Sequence, residues 1–168
     1  MKNNKGFTLM ELLIVVIIIV GFAAFAYPSY VTSIERARAS EAVNMLATIQ
    51  GAQQKHFVHY EEYGRVYHDI NDFQPAIANW SNFEDGCHFT TEFFDYALDG
   101  CENNNKKGCA VARRINKDGE LADKGYMLIG CYLEDFIRCY VLNESEDGDK
   151  ICSSLTDLAK ENDYYRIR

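Results

Sequence analysis

The distribution of apolar residues separates the start of this chain from the rest. After a short polar beginning, Leu12–Tyr27 contains no charged side chain. Counted from Phe7, the apolar stretch is interrupted only by Thr8 and Glu11. As a helix it is long enough to cross the ~30 Å hydrocarbon core of a bilayer. The pattern therefore predicts a membrane-spanning helix near the N-terminus, with one carboxylate inside it.

Helical periodicity continues beyond this apolar segment. Apolar residues recur near the 3.6-residue period, with charged and polar residues between them. These positions are Val31, Ile34, Ala39, Ala42, Val43, Leu46 and Ile49. We predict one helix over residues 7–58, apolar on all sides over residues 7–29 and amphipathic over residues 30–58. Gly21 and Pro28 interrupt it, and a proline bends a helix because it lacks the backbone donor. Alternatively, Pro28 is the first residue of a separate helix.

The period changes in the second half of the chain. Four segments have the pattern of β-strands and are separated by turn residues. They are Phe93–Leu98, Ala110–Ile115, Tyr126–Leu133 and Phe136–Leu142. Short connections predict an antiparallel sheet over about residues 93–142. The helix and the sheet each have an apolar surface to bury, so we expect them to pack together. The predicted fold class is α+β, with a long N-terminal helix packed on a small antiparallel sheet in a globular head at residues 59–168.

The charge balance excludes one class of partner. The chain has 168 residues and a formal net charge of −8 at neutral pH. Nucleic-acid binding by bulk charge needs the opposite sign. About 110 residues follow the apolar segment, which is enough for one small domain. We find no arrangement of residues typical of a catalytic centre and expect no enzyme activity and no cofactor.

The chain has a distinctive N-terminal pattern: Gly6-Phe7-Thr8-Leu9-Met10-Glu11, followed by Leu-Leu-Ile-Val-Val and later by Pro28. This pattern resembles the N-terminus of type IV pilins and type II secretion pseudopilins. In that family a prepilin peptidase cuts after the glycine and methylates the new N-terminal amine. The resemblance implies a leader at residues 1–6, cleavage between Gly6 and Phe7, and N-methylation of Phe7. It also implies the pilin fold, a kink at Pro28 and a role for Glu11 in assembly.

Glu11 has no basic residue near it once the leader is removed. We expect no partner for this carboxylate within its own chain except the amine of Phe7. A neighbouring subunit's amine is the alternative partner, and that pairing would remove two isolated charges from an apolar environment.

The function implied by the resemblance is that of a structural subunit of a type IV pilus filament. The expected partners are other copies of the chain, minor pilins, the prepilin peptidase and methyltransferase, the inner-membrane assembly platform and the membrane itself. The expected location is the inner membrane as a single-pass prepilin, then a filament at the cell surface. Alternatives are a type II secretion pseudopilin, a membrane-anchored exported binding domain or an anchored enzyme. Adhesion, twitching motility, DNA uptake and secretion stay open as the role of the filament.

Two simpler interpretations of the N-terminus remain. A secretory signal peptide would be cut near Ala24-Phe25-Ala26. It does not account for Glu11 or for the helical pattern that continues beyond Ala26. A plain membrane anchor leaves both Glu11 and the Gly6-Phe7 junction without a role.

Six cysteines lie beyond the apolar segment, at positions 87, 101, 109, 131, 139 and 152. An even number in a small exported domain is typical of disulfide bonds, although the sequence leaves their connectivity open. We favour Cys139–Cys152, which would link the last predicted strand to the C-terminal segment. A C-terminal disulfide loop is also common in the family that the chain resembles. The other assignments, Cys101–Cys109 and Cys87–Cys131, are guesses.

Two groups of residues resemble metal ligands. His56 and His59 lie at helical spacing near Glu61 and Glu62, but such histidines are more often surface or capping residues. The segment Asn143–Asp149 is rich in oxygen ligands, and some pseudopilins bind calcium in a C-terminal acidic loop. Asp147 and Asp149 are therefore weak calcium candidates. We favour a solvated hairpin turn there and expect no metal, because the spacing of a calcium-binding loop is absent.

Overall fold

A computed structural model of the chain describes residues 7–65, 67, 70, 87–98, 108–116, 118–122 and 124–167. In chain order, its helices and strands are α1 (Leu9–Tyr60), β1 (His88–Thr90), β2 (Phe94–Leu98), β3 (Cys109–Arg114), β4 (Tyr126–Cys131), β5 (Ile137–Val141), α2 (Glu146–Ser154) and β6 (Tyr164–Ile167). The expected leader, including Gly6, lies outside the described residues. The chain divides into two compact units, Met1–Glu35 and Arg36–Arg168. Helix α1 contributes to both.

The six strands form one sheet in the order of the sequence, and every neighbouring pair is antiparallel. The four predicted strands correspond to β2–β5. Strands β1 and β6 were not predicted. Each has only three or four residues, and β6 lies in a polar tail where turn residues obscure the alternation. The α+β fold class, with a long helix packed on an antiparallel sheet, is confirmed.

The second half of α1 packs on this sheet within the second unit. Ala39, Ala42, Leu46 and Ile49, four of the positions predicted from periodicity, are fully buried. Aromatic side chains fill the facing layer: Phe89, Phe94, Tyr96 and Tyr126. Each large apolar side chain buried in this way contributes roughly 1.5–3 kcal/mol. The head is thus built around the amphipathic half of the helix.

Glutamine side chains add polar contacts between α1 and the head. Gln53 is fully buried and bonds Gly64 in both directions, donating through Nε2 at 3.0 Å and accepting through Oε1 at 2.8 Å. Gln50 Nε2 donates to the carbonyl of Cys131 at 2.9 Å, and Gln54 Nε2 to that of Tyr132 at 3.0 Å. A buried amide is costly unless it is hydrogen-bonded, so these contacts fix the position of the helix on the head.

Two disulfide bonds lie in the described part of the head. Cys139 and Cys152, the pair favoured from the sequence, are joined across β5 and α2, with 5.6 Å between their Cα atoms. Cys109 bonds Cys131, its register partner on β4, with 3.9 Å between their Cα atoms. The guesses Cys101–Cys109 and Cys87–Cys131 are therefore wrong. The antiparallel register of β3 and β4 decides this pairing, and spacing along the chain does not reveal it. Cys87 is disulfide-bonded, and Cys101 lies outside the described residues.

The segment Asn143–Asp149 differs from the expected solvated hairpin turn. A tight turn does follow β5. It is closed by a hydrogen bond of 3.0 Å from Ser145 N to the carbonyl oxygen of Leu142. Its two central residues, Asn143 and Glu144, have positive φ angles of 51° and 53°. Helix α2 then begins, with Ser145 as its N-cap accepting a hydrogen bond from Gly148 N at 3.2 Å. The capping hydroxyl satisfies a donor that the first helical turn leaves unpaired.

Candidate assembly site

Thr8 and Glu11 form a reciprocal cap at the start of α1. The Glu11 Oε2 atom accepts hydrogen bonds from Thr8 N and Thr8 Oγ1, each at 2.9 Å. Glu11 N in turn donates to Thr8 Oγ1 at 3.2 Å. This is a capping box, in which the N-cap and the N3 residue satisfy each other's backbone donors. The expectation that Glu11 lacks a partner within its own chain, apart from the Phe7 amine, is therefore wrong.

Thr8 is not among the site residues predicted above, although the sequence contains a signal for it. A threonine followed three residues later by a glutamate, just before an apolar run, is the pattern of a capping box. Both Thr8 donors go to the same carboxylate oxygen, Oε2. The described residues donate no hydrogen bond to Glu11 Oε1. One oxygen of the carboxylate is therefore left for a donor from elsewhere.

The apolar residues that follow this cap are exposed. From Phe7 to Val31, the large apolar side chains are between 46% and 89% exposed. In the part of the chain that the structure describes, one helix, α1, is long and apolar enough to cross a membrane, and none of its most apolar stretch is buried. Removing apolar surface from water lowers the free energy by about 25 cal/mol for each Å² that is buried. An exposed apolar surface of this length is typical of a helix that lies in lipid or packs against other apolar helices.

Gly21 and Pro28 both lie inside α1. The helix runs through Pro28 and does not begin there, so the alternative of a separate helix is wrong. The carbonyl of Pro28 accepts a hydrogen bond from Thr32 Oγ1 at 3.1 Å, and that of Ser29 accepts one from Ser33 Oγ at 2.9 Å. A Cβ atom added at Gly21 would meet no atom within 4 Å. Among the described residues, no contact requires glycine at position 21, and the expected kink stays a prediction.

The residues considered as metal ligands bind protein groups in the structure. Asp149 Oδ1 accepts hydrogen bonds from Tyr165 Oη at 3.0 Å and Lys160 Nζ at 3.3 Å. Asp147 lies 3.7 Å from Lys150 Nζ. The described residues contain no group of three or more His, Cys, Asp or Glu side chains that could hold a metal ion. The two calcium candidates, Asp147 and Asp149, are thus each engaged by a lysine.

The two candidate histidines bond to backbone carbonyls. His56 Nδ1 lies 2.8 Å from the carbonyl oxygen of Glu62, and His59 Nδ1 lies 3.2 Å from that of Lys55. Both histidines thus face the backbone through Nδ1. Both contacts join residues at the C-terminal end of α1, so the two histidines stabilise the local backbone there.

Comparison with known proteins agrees with the features at the start of α1. Residues 1–27 match the family model of the prokaryotic N-terminal methylation motif. The chain is 38% identical over 77 residues to the type IV major pilin protein PilA of Myxococcus xanthus, which is 46% of this chain and 34% of that protein. The aligned part thus spans about a third of the Myxococcus protein. No solved structure matches the chain significantly.

A second relative matches nearly the whole chain. The fimbrial protein of Dichelobacter nodosus is 30% identical over 157 residues, which is 93% of this chain and 90% of that protein. The match therefore includes the sheet and the disulfide-bonded head as well as the apolar helix. The chain belongs to the type IV pilin, or fimbrial protein, family.

Proposed function

We propose that this chain is the structural subunit of a type IV pilus, which assembles through α1 after prepilin peptidase removes residues 1–6 and the amine of Phe7 is methylated. The observation that carries the proposal is the exposure of the apolar half of α1. The match of residues 1–27 to the methylation motif supports the processing step. Both relatives have names of pilin or fimbrial proteins, which favours a pilus over a secretion pseudopilus.

The apolar half of α1 provides the driving force for assembly. In the precursor, this helix occupies the inner membrane as a single span. In the filament, the same surface packs against the helices of other subunits. A large apolar side chain contributes roughly 1.5–3 kcal/mol when it is buried in this way. Because each subunit presents different parts of its helix to its neighbours, the contacts do not close and a filament grows.

Glu11 selects the arrangement of neighbouring helices. Cleavage after Gly6 would leave a positively charged amine on Phe7, one residue before the capping threonine. Glu11 Oε2 already accepts two hydrogen bonds from Thr8, so Oε1 is the oxygen that would accept a hydrogen bond from the amine of Phe7. An amine from a neighbouring subunit would fix the axial offset between the two helices, because an unpaired charge in an apolar core is strongly destabilising.

The expected partners follow from the proposed steps of processing, membrane insertion and filament assembly. The prepilin peptidase and methyltransferase act on the Gly6-Phe7 junction, and the assembly platform of the inner membrane extracts the processed subunit. Minor pilins and other copies of the chain complete the filament. The protein thus moves from the inner membrane to a filament at the cell surface. Its role is structural, and no catalytic step is assigned to the head.

The proposal is tested in a strain that lacks the chromosomal copy. The strain is complemented with the wild-type chain, with Glu11→Ala or with Thr8→Ala. Surface filaments are counted by electron microscopy, and the processed subunit in the membrane is measured by immunoblotting. Glu11→Ala should allow insertion and leader cleavage but abolish filaments. Thr8→Ala is the matched control, because it removes the capping hydroxyl, weakening the helix start by about 1 kcal/mol, and retains the carboxylate.

The outcomes separate the alternatives. Filaments of normal number and length with Glu11→Ala would mean that Glu11 does not direct assembly. If Thr8→Ala abolishes filaments as completely as Glu11→Ala, the cap itself is what assembly requires. If the wild-type chain restores export of soluble proteins and produces no surface filaments, the chain acts as a secretion pseudopilin.

A further inference from the structure

The sheet has an outer face, opposite to the buried core, that combines arginine, aromatic and aliphatic side chains. Residues alternate between the two faces along each strand. On β5 and β6, Cys139 and Tyr165 are buried, and Arg138 and Arg166 therefore point to the outer face. The half-buried members of this face on β3–β6 are Val111, Arg113, Met127, Ile129, Arg138, Tyr140, Tyr164 and Arg166. Arginine, tyrosine and methionine are enriched at protein interfaces.

The charges on this outer face are not all balanced. Arg113 Nη2 lies 2.9 Å from Asp95 Oδ2, and Arg138 forms an ion pair with Glu134. Arg166 forms no ion pair with any carboxylate among the described residues, and its Nε atom is buried without a hydrogen bond. Its guanidinium lies over the ring of Phe136, 3.8 Å from the centroid. The stacking holds the charge in place and does not neutralise it.

The register of the sheet makes this arrangement unfavourable in the isolated chain. Arg138 and Arg166 are directly opposite each other on adjacent antiparallel strands. Like charges in that position destabilise a pair of strands. The whole chain is nevertheless acidic, with a net charge of −8. A carboxylate bound beside Arg166 would remove the repulsion, so this part of the outer face is suited to an acidic partner.

Helix α2 presents an acidic surface on the other side of the same sheet. The disulfide between Cys139 and Cys152 and the hydrogen bond from Tyr165 to Asp149 both attach α2 to the core face. In its first turn, the side chains of Glu146 and Asp147 are 93% and 90% exposed. Both lie near one cation, Lys150, at 4.0 and 3.7 Å. The first turn therefore retains an excess of negative charge that is accessible from outside.

We propose that the outer sheet face around Arg166 in one subunit binds the first turn of α2, Glu146 and Asp147, in a second copy of the chain. The two surfaces lie on opposite faces of one sheet, so they cannot meet within a chain. A contact between different surfaces of identical subunits is heterologous and propagates without closing. The proposal rests on the filament function and adds a contact between heads to the packing of α1.

A charge exchange in filament-forming cells tests the contact. The variants are Arg166→Glu, the pair Glu146→Lys and Asp147→Lys, and all three changes together. The readout is the ratio of subunit in sheared filaments to subunit in the membrane. Either half of the exchange should lower this ratio about tenfold, because like charges would face each other across the contact. The complete exchange should restore most of it, and Arg166→Lys should behave like the wild type.

A matched control separates this contact from bulk charge. Asp118 and Glu120 are exposed on the turn between β3 and β4. Their replacement by lysine changes the net charge as much as the α2 pair does. Combined with Arg166→Glu, it should fail to restore filaments. Equal restoration by this control, or no loss with Arg166→Glu alone, would overturn the proposal.

Cross-linking provides a measurement that does not depend on the folding of Arg166→Glu. A carbodiimide joins an amine to a carboxylate only when the two are in contact. Purified filaments of Arg166→Lys should therefore yield a cross-linked peptide between position 166 and the first turn of α2. The wild-type chain should not, because a guanidinium does not react. Absence of this peptide from intact Arg166→Lys filaments refutes the head contact, whereas absence of wild-type filaments refutes the proposed function.

Discussion

Gly148 in the first turn of α2 lies directly against the carbonyl group of Gly125, which precedes β4. A Cβ atom added at Gly148 would overlap the Gly125 carbonyl oxygen, and one added at Gly125 would overlap the Ser145 side chain. Gly125 has a positive φ of 69°, and its carbonyl accepts a hydrogen bond from Leu142 N at 2.7 Å. The N-terminus of α2 is thus seated on the loop before β4 by a contact that only glycines permit.

Gly148→Ala should destabilise the head by about 1–3 kcal/mol, because the added methyl group has to displace backbone atoms. The measurement is thermal unfolding of the full-length chain in detergent. Gly51→Ala is the matched control, since Gly51 also lies within a helix but a Cβ atom there meets nothing within 4 Å. That change should stabilise the chain by about 0.5–1 kcal/mol. Equal melting temperatures for the two variants would contradict the close approach of Gly148 and Gly125.

Replacing Cys139 and Cys152 together by alanine should destabilise the head by about 3 kcal/mol, from the loop that the bond closes in the unfolded chain. Both sulfur atoms are fully buried, so the loss of packing adds to this effect. Denaturant unfolding of the full-length chain measures the difference. Helix content by circular dichroism should persist, because the whole of α1 lies outside this loop. No change in unfolding midpoint would show that α2 is held without the bond.

The head should lose stability in alkali. Burial raises the pKa of Tyr96 and that of Tyr67. Burial, and then the hydrogen bond that it donates to Asp149, raises the pKa of Tyr165. A raised pKa means that the folded state retains the proton more strongly. Its contribution to stability is therefore complete below about pH 10, the pKa of an unperturbed tyrosine, and is lost as the pH rises toward the folded-state value.

Unfolding midpoints in urea at pH 8–11.5 test this expectation. The midpoint should be flat up to about pH 10 and fall above it. Tyr165→Phe serves as the control, because it removes one of the three titrating groups and should make the fall shallower. A midpoint that rises between pH 10 and pH 11.5 would contradict the direction of these pKa shifts.

Processing can be measured directly. If the chain is cut between Gly6 and Phe7 and methylated, the intact mass of the mature protein should equal that of residues 7–168 plus one methyl group, with all cysteines oxidised. A Gly6→Leu precursor should keep residues 1–6, because the junction that the peptidase recognises is removed. Recovery of a chain that begins at Tyr27 would instead establish cleavage by a signal peptidase, leaving the head without its membrane helix.

Much of the fold follows from local periodicity. The 3.6-residue pattern through Ile49 indicated the long helix and the face that it buries, and turn residues separated the four strands that became β2–β5. The pattern Thr8-Leu-Met-Glu11 also contained the capping box, although the interpretation of Glu11 as an isolated carboxylate overlooked it. These features depend on neighbours along the chain, which is why a sequence can determine them.

Contacts between segments that are distant along the chain could not be predicted in this way. The antiparallel register of β3 and β4 places Cys109 opposite Cys131, and no spacing in the sequence distinguishes that pair from Cys101–Cys109. From its polarity alone, Gln53 would be expected at the surface. It is fully buried instead, and its hydrogen bonds to Gly64 compensate for the loss of water. Likewise, Arg138 and Arg166 lie side by side on the outer face because the register of β5 and β6 pairs them and their neighbours Cys139 and Tyr165 are buried in the core. The apolar helix and the resemblance at its N-terminus can be recognised in the sequence, because both depend on residues that are close together along the chain. Which side chains meet across the sheet depends on the pairing and the register of the strands. These bring together residues that are far apart along the chain, so a local pattern does not reveal them.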